Sequence, residues 1–253
     1  MPRPRFPHAI AATSLLSLLP LSAAGQETDG WRYQISPYLW GAGLSGEAGV
    51  IPGAPPVDVD LSFKDILDDL EIAAMAVGQA RKGNWAIQID LQHVRTKSTG
   101  AVASDDVDRA EVDTTTQSFS AQLDYLAYEA AGTELWVSGG LRYWNVDTTL
   151  TLEGGDIGVQ KARGSDSWWD PVVGLRGRKP LGANSYLTGW AYLGGFGAGS
   201  DLMTDVFLGA GYDVTETTSL VGGLRYQSVD RRNGDFIWDV EQAGPLVGLT
   251  IRF

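Results

Sequence analysis

Read backwards from its last residue, the chain alternates. Ile251, Leu249, Val247 and Pro245 stand on the side of Phe253, while Arg252, Thr250, Gly248 and Gly244 stand on the other, with Leu246 out of step. A period of two is the mark of a β-strand with one apolar and one polar face. The same rhythm recurs upstream. Trp31–Gly43 sets Trp31, Tyr33, Ile35, Pro37 and Leu39 against Arg32, Gln34, Ser36, Tyr38 and Trp40. Ile72–Arg81 is the weakest segment, because Ala73, Ala74 and Ala76 blur its faces. Trp85–Lys97, Thr114–Ala130, Leu135–Thr149, Trp168–Lys179, Tyr186–Gly197, Leu202–Val214 and Ser219–Val229 follow, and Phe236–Phe253 completes the set. The last segment keeps one phase throughout only if a bulge is placed near Gln242 and Ala243.

These segments number ten and run to about ten residues or more, the length of a tilted membrane-crossing strand and about twice that of an average soluble strand. Short turns at 82–84, 131–133, 180–184 and 215–217 alternate with the connections Leu44–Leu70, Ser98–Asp113, Leu150–Ser167, 199–201 and 231–235, the first three of them long. Short turns at one end and long loops at the other are the habit of outer-membrane barrels. The expected fold is therefore all-β: a closed antiparallel transmembrane barrel of about ten strands, with eight or twelve as alternatives. Within the first long connection, Val57–Phe63 alternates briefly, and Ser62 stands three residues before Asp65, a spacing that predicts a capped helix over Lys64–Leu70. An all-β sandwich is the soluble alternative.

The N-terminus adds an address. Arg3 and Arg5 precede an apolar run from Ala9 to Leu21, then Ser22, Ala23, Ala24 and Gly25. That is the form of a secretory signal peptide over 1–24, leaving 25–253 as the barrel. The run is too short for a membrane anchor, is broken by Pro20 and lacks stop-transfer charges. Loss of Arg3 and Arg5 with the leader takes the formal charge from −12 to −14. So acidic a chain is a poor nucleic-acid binder. Cys is absent, which excludes disulfides and thiol chemistry. Gly at 32 residues, with nine Trp and nine Tyr, fits close strand packing and interfacial aromatic girdles.

The Phe-terminated alternating strand, with Leu249, Ile251 and Phe253 on one face, resembles the C-terminal signal that the barrel assembly machinery reads in bacterial outer-membrane proteins. Further stretches do likewise: Trp31 with Pro37–Trp40, Val57–Phe63 with Asp65–Leu67, Trp168–Pro171, and Gly194–Asp201. Together they resemble a group of small proteobacterial outer-membrane barrel proteins of unassigned function. The resemblance implies a fold and a location in Gram-negative cells, and brings no catalytic residues.

The alternation also says which charges enter the lumen. They are Arg32, Asp90, Asp124, Arg142, Asp170, Arg176, Arg178, Asp205, Asp213, Arg225 and Arg252. An Arg facing lipid at the midplane costs about 2–4 kcal/mol, so these side chains belong inside. A narrow lumen demands that they pair. Two readings follow, a barrel plugged by its own salt bridges or a narrow, charge-selective pore. With Trp40, Tyr186, Trp190 and Tyr192 also pointing in, the plug is expected. Catalysis is the third reading. Barrel proteases resembling omptins pair His with carboxylates, and lipid A deacylases pair His with Ser. The barrel has only His93, which shares the lipid-side phase of Leu91, with Arg95 two residues on. No enzyme is expected. The acidic runs Asp65–Glu71 and Asp105–Asp108 lack calcium-loop spacing, and Gly195–Gly199 lacks the strand-to-helix context of a phosphate loop, so neither metal nor cofactor is expected. The expected partners are outer-membrane lipid, lipopolysaccharide and the assembly machinery, with no nucleic acid, and the expected state is a monomer.

Overall fold

The computed structural model describes residues 30–101, 108–154 and 158–253. The predicted leader lies outside them. Twelve strands and one helix follow in order: β1 Trp31–Trp40, β2 Gly43–Gly49, β3 Val57–Leu61, α1 Phe63–Asp68, β4 Leu70–Lys82, β5 Trp85–Ala101, β6 Arg109–Ala130, β7 Thr133–Gly154, β8 Gly158–Pro180, β9 Ser185–Gly195, β10 Leu202–Asp213, β11 Thr218–Asn233 and β12 Phe236–Arg252. Neighbours are antiparallel, and β1 pairs with β12, closing a ten-strand barrel with β2 and β3 as extra strands. At the seam the last residue is held by the first strand: Tyr33 N–H donates to the Phe253 carbonyl and Phe253 N–H to that of Tyr33, both at 3.0 Å.

The extra strands are not additional staves. β1 pairs with the C-terminal part of β12, Gln34 opposite Arg252 to Trp40 opposite Leu246, and β2 continues along the same edge, Gly43 opposite Ala243 to Ile237 opposite Gly49. β3 then pairs back on β2, and α1 joins it to β4. The expected loop over Leu44–Leu70 is thus a hairpin and a helix that prolong the barrel wall beyond the point where β1 and β4 meet. Its helix begins as the Ser62–Asp65 spacing predicts: Asp65 N–H donates to Ser62 Oγ at 3.3 Å, and Ser62 N–H donates to the Asp65 carboxylate at 2.9 Å.

Three sequence expectations need correction. Ser98–Asp113 and Leu150–Ser167 are not simply loops, because β5 runs on to Ala101, β6 starts at Arg109, β7 reaches Gly154 and β8 starts at Gly158. No bulge interrupts Gln242–Ala243, since β12 keeps one register against β11 from Phe236 to Ile251. The irregularities fall instead at Leu70/Ile72 and Leu126/Tyr128.

The reason for all three is that the strands outrun an apolar belt. On β7 the outward residues are Leu135, Val137, Leu141 and Tyr143, then Asn145 and Asp147. On β8 they are Leu175, Val173, Pro171 and Trp169, then Ser167, Ser165 and Arg163. On β12 they are Ile251, Leu249, Val247 and Pro245, then Glu241 and Asp239. Leu39, Leu208 and Leu224 in the belt are 73%, 67% and 68% exposed. A continuous apolar surface of this kind is foreign to a soluble monomer and native to a lipid-facing barrel. Aromatics mark both edges. Tyr143 meets Trp169 with ring centroids 5.1 Å apart on the long-loop side, and Trp85 meets Tyr125 at 5.0 Å and Tyr33 meets Phe253 at 6.0 Å on the short-turn side. Such girdles belong at membrane–water interfaces.

Candidate functional site

The lumen has three storeys. Nearest the long loops it is apolar: Trp144, Val146, Trp168, Val172, Met203, Val229, Phe236, Trp238 and Val240 form one buried cluster, with Leu44, Ala48 and Val50 packed on it. These are inward-facing positions of β7, β8, β10, β11 and β12, most of them above the belt, where the outer face is already polar. Asp170 lies at the base of this storey. It accepts from the Ser200 backbone N–H at 2.6 Å, the Ser200 hydroxyl at 2.8 Å and the Trp168 indole at 3.3 Å, and it pins the β9–β10 turn rather than pairing with an Arg. Arg231 and Asp166 pair at 2.9 Å nearby.

The middle storey is a charge cluster spanning the barrel. Arg225 of β11 donates to both oxygens of Asp205 on β10, at 2.7 and 3.0 Å, and to Asp90 of β5 at 2.9 Å. Arg142 of β7 donates to Asp205 at 2.8 Å and stands 3.6 Å from Asp90. Two guanidinium groups therefore face two carboxylates, and the cluster is neutral. Neutral donors join it, while Arg142 Nε and Nη1 stay buried without a hydrogen-bond partner. Tyr38 of β1 donates to Asp90 and accepts from Arg225, both at 2.8 Å, while Trp190 donates to Asp205 at 2.9 Å and Gln227 to the same carboxylate at 3.3 Å. The Arg225 guanidinium also lies over the Trp40 ring at 4.9 Å and the Trp190 ring at 5.3 Å. Asp205 is fully buried, and Arg142 and Arg225 are each 1% exposed. Burial without a partner would cost several kcal/mol per ion; matched partners make the arrangement tenable.

The storey nearest the short turns is open. A cavity of about 660 Å³ is lined there by Arg32, Arg81, Arg176, Arg178 and Arg252. Arg176 pairs with Asp124 at 2.6 Å, Arg81 with Glu134 at 2.5 Å, and Arg178 and Arg252 share Asp213 at 3.3 and 3.1 Å. Arg32 is exposed and makes no ion pair among the described residues.

Of the eleven charges placed inward from the sequence, nine meet an opposite charge, Asp170 meets neutral donors, and Arg32 stands alone at the mouth. Three participants went unnoticed as such. Tyr38 and Trp190 face inward by parity, but nothing local says that they end on Asp90 and Asp205. Arg81 lies on the ill-marked β4, and its partner Glu134 lies beside a turn. Leu249, Ile251 and Phe253 face outward, 37%, 39% and 55% exposed. His93 also faces outward, and its ring Nδ1 is 3.0 Å from the Gln117 amide nitrogen. Asp65 caps α1, Asp68 pairs with Lys64 at 2.5 Å, Glu71 pairs with Arg95 at 3.0 Å, and Asp69 is bonded to Ser98; among the described residues no three potential metal ligands gather. Asp105 and Asp106 lie outside the described residues.

No family model matches the chain, and no curated protein matches it in sequence. Solved structures do resemble it. The outer-membrane protease OmpT from Escherichia coli superposes with a TM-score of 0.51 at 13% identity, covering 89% of this chain and 97% of that one. The fold is that of a bacterial outer-membrane β-barrel. Other likenesses are the translocator domain of the autotransporter NalP from Neisseria meningitidis, with a TM-score of 0.46, 14% identity and 90% of each chain covered, and the attachment invasion locus protein Ail of Yersinia pestis, with 0.41, 11%, and 89% of this chain and 100% of that one. At such identities the likeness is one of fold.

Proposed function

We propose that this protein is a resident of the bacterial outer membrane whose lumen is closed by its own side chains, with a structural role in the envelope rather than a conducting one. In this reading the short turns face the periplasm, the apolar belt meets lipid, and the long-loop end stands among lipopolysaccharide. The barrel enters as a monomer after loss of its leader, through assembly machinery that reads Leu249, Ile251 and Phe253. The observation that carries closure is the burial of Asp205, Arg142 and Arg225 at the centre of the lumen, beneath a second seal of Trp144, Trp168 and Trp238. A conducting pore would wet these groups. No catalytic role belongs to this reading: His93 points to the lipid side, and its ring nitrogen lies against the Gln117 amide. Recording from the purified protein in planar bilayers tests it. Silence at moderate voltage is expected. Steady unitary steps, shifted in ion selectivity by Arg225→Gln, would replace the plug with a pore.

A further inference from the structure

The open storey beneath the plug is more than leftover space. Five guanidinium groups line or rim it, against three carboxylates, Asp124, Asp213 and Glu134, that pair with them; a fourth, Glu129, is 3.8 Å from Arg81 on the exposed rim. Guanidinium groups thus outnumber side-chain carboxylates here by one, five to four, within a chain whose net charge is −12. The surplus has an address, since Arg32 has no ion-pair partner among the described residues and Arg178 and Arg252 divide one carboxylate. These three lie within two residues of an end of β1, β8 or β12, at the mouth. Farther in, the cavity is floored by Val77, Trp190, Phe207, Val221 and Leu246. The cationic mouth and this apolar patch thus share one cavity, with Arg176 opposite Trp190 on the neighbouring strand.

We infer that this vestibule is a binding site for a small amphiphilic anion, one bearing a carboxylate or phosphate on an apolar body and entering from the short-turn end. The head group docks among Arg32, Arg178 and Arg252, where an anion offsets charge that the protein leaves unmatched. The apolar body lies on the floor, shedding water from both surfaces. The volume is within the range of small-molecule sites, about 300–1,000 Å³, and a few charged groups beside an apolar wall is how such sites set orientation. A local positive field in an acidic protein also draws anions to the one place where they are held. The direction of entry rests on the closed lumen proposed above; the site itself does not.

The test uses the full barrel in neutral phosphatidylcholine nanodiscs, with equilibrium dialysis of labelled octanoate and empty discs as the blank. Saturable binding is expected, at one site per barrel. Octan-1-ol, which keeps the body and drops the charge, and inorganic phosphate, which does the reverse, should each bind at least tenfold more weakly. Arg32→Gln with Arg178→Gln should weaken octanoate binding tenfold or more, and Val221→Glu should abolish it. Heat-modifiable migration verifies that each variant is folded. Should the double variant not assemble, Arg32→Gln alone decides, because it breaks no ion pair. Uptake that does not saturate, that is unchanged in the folded Arg variants, or that octanol matches would overturn the proposal. Dialysis is blind to conductance, so this inference and the closed-lumen reading fail on different measurements.

Discussion

The two ends of this barrel are built from the same strands and are inside-out copies of each other. Near the long loops β12 turns Phe236, Trp238 and Val240 inward and Asp239 and Glu241 outward; near its end it turns Thr250 and Arg252 inward and Leu249 and Ile251 outward. The alternation never breaks, but the meaning of each face reverses. The cause is the solvent on the outer face. Where hydrocarbon surrounds the wall, apolar side chains are at no disadvantage outside, and the lumen takes the charges. Where water surrounds it, the wall must bury apolar groups against something, and the lumen is the only interior available. The comparison teaches that one half of the barrel is a membrane protein and the other a small soluble β-domain, joined by the charge cluster of Asp90, Arg142, Asp205 and Arg225. The soluble half carries the apolar cluster and the membrane half the vestibule.

The largest expected effect separates the cluster from the vestibule. Asp205→Ala strips both Arg142 and Arg225 of their closest carboxylate in a fully buried setting, and breaking such an arrangement from one side costs about 3–5 kcal/mol. Asp213→Ala removes the shared partner of Arg178 and Arg252, but these groups are a quarter or more exposed, and water screens the loss to about 1 kcal/mol or less. Thermal or urea midpoints followed by heat-modifiable migration would report both. Equal losses would mean that the two storeys are not mechanically different.

How much of this was legible in the sequence follows from the same reversal. Within the belt, alternation is enforced by lipid on one side and by crowded polar groups on the other, so Leu123, Val173 and Leu249 could be placed outside and Asp124, Arg142 and Arg225 inside from parity alone. Above the belt, residues 145–154 and 158–167 carry polar groups on the outer face and mixed ones within, and the rhythm fades although the ladder of β7 and β8 continues. In β12 the apolar phase changes from even to odd positions near Gln242, which reads as a bulge although the backbone has none. Pair identities were out of reach. Asp205 on β10 meets Arg225 and Trp190 on the adjacent β11 and β9, but its contact with Arg142 on β7, and that of Arg225 with Asp90 on β5, cross the lumen, so those matches depend on barrel diameter and stagger, which no local pattern records.

The boundary between the halves can itself be measured. On the outward face of β7, Leu141 lies in the belt and Asn145 lies four residues beyond it, past the Tyr143 girdle. Leu141→Arg should cost about 2–4 kcal/mol in a folding titration from urea into lipid, whereas Asn145→Arg should cost about 0–1 kcal/mol. A similar cost at both would carry the membrane past Tyr143 and dissolve the distinction drawn between belt and water-exposed wall. A similar absence of cost would remove the membrane.

The smallest effect belongs to the extra hairpin and helix that extend the wall in water. α1 is exposed and has no buried residues, so its hold on the barrel rests on its ends. The Asp65 carboxyl accepts from the Ser62 hydroxyl and from the Ser62 backbone N–H, and these bonds hold it below the usual carboxylate range. A carboxylate whose folded pKa is depressed stabilises the folded form above its unfolded pKa, and that contribution disappears as pH falls through the folded value. Ser62→Ala removes one half of the capping box, at a typical cost of about 1 kcal/mol of local stability. Hydrogen exchange at Asp65, Ile66 and Asp69 should accelerate in Ser62→Ala at neutral pH, once corrected for intrinsic rates, and wild type should approach the variant as the medium becomes acidic enough to protonate Asp65. The amides of β7 and β12 should not respond to either change. If they do, the hairpin–helix segment is coupled to the plug, and the outer half behaves as one cooperative unit instead of a core with a loosely attached rim.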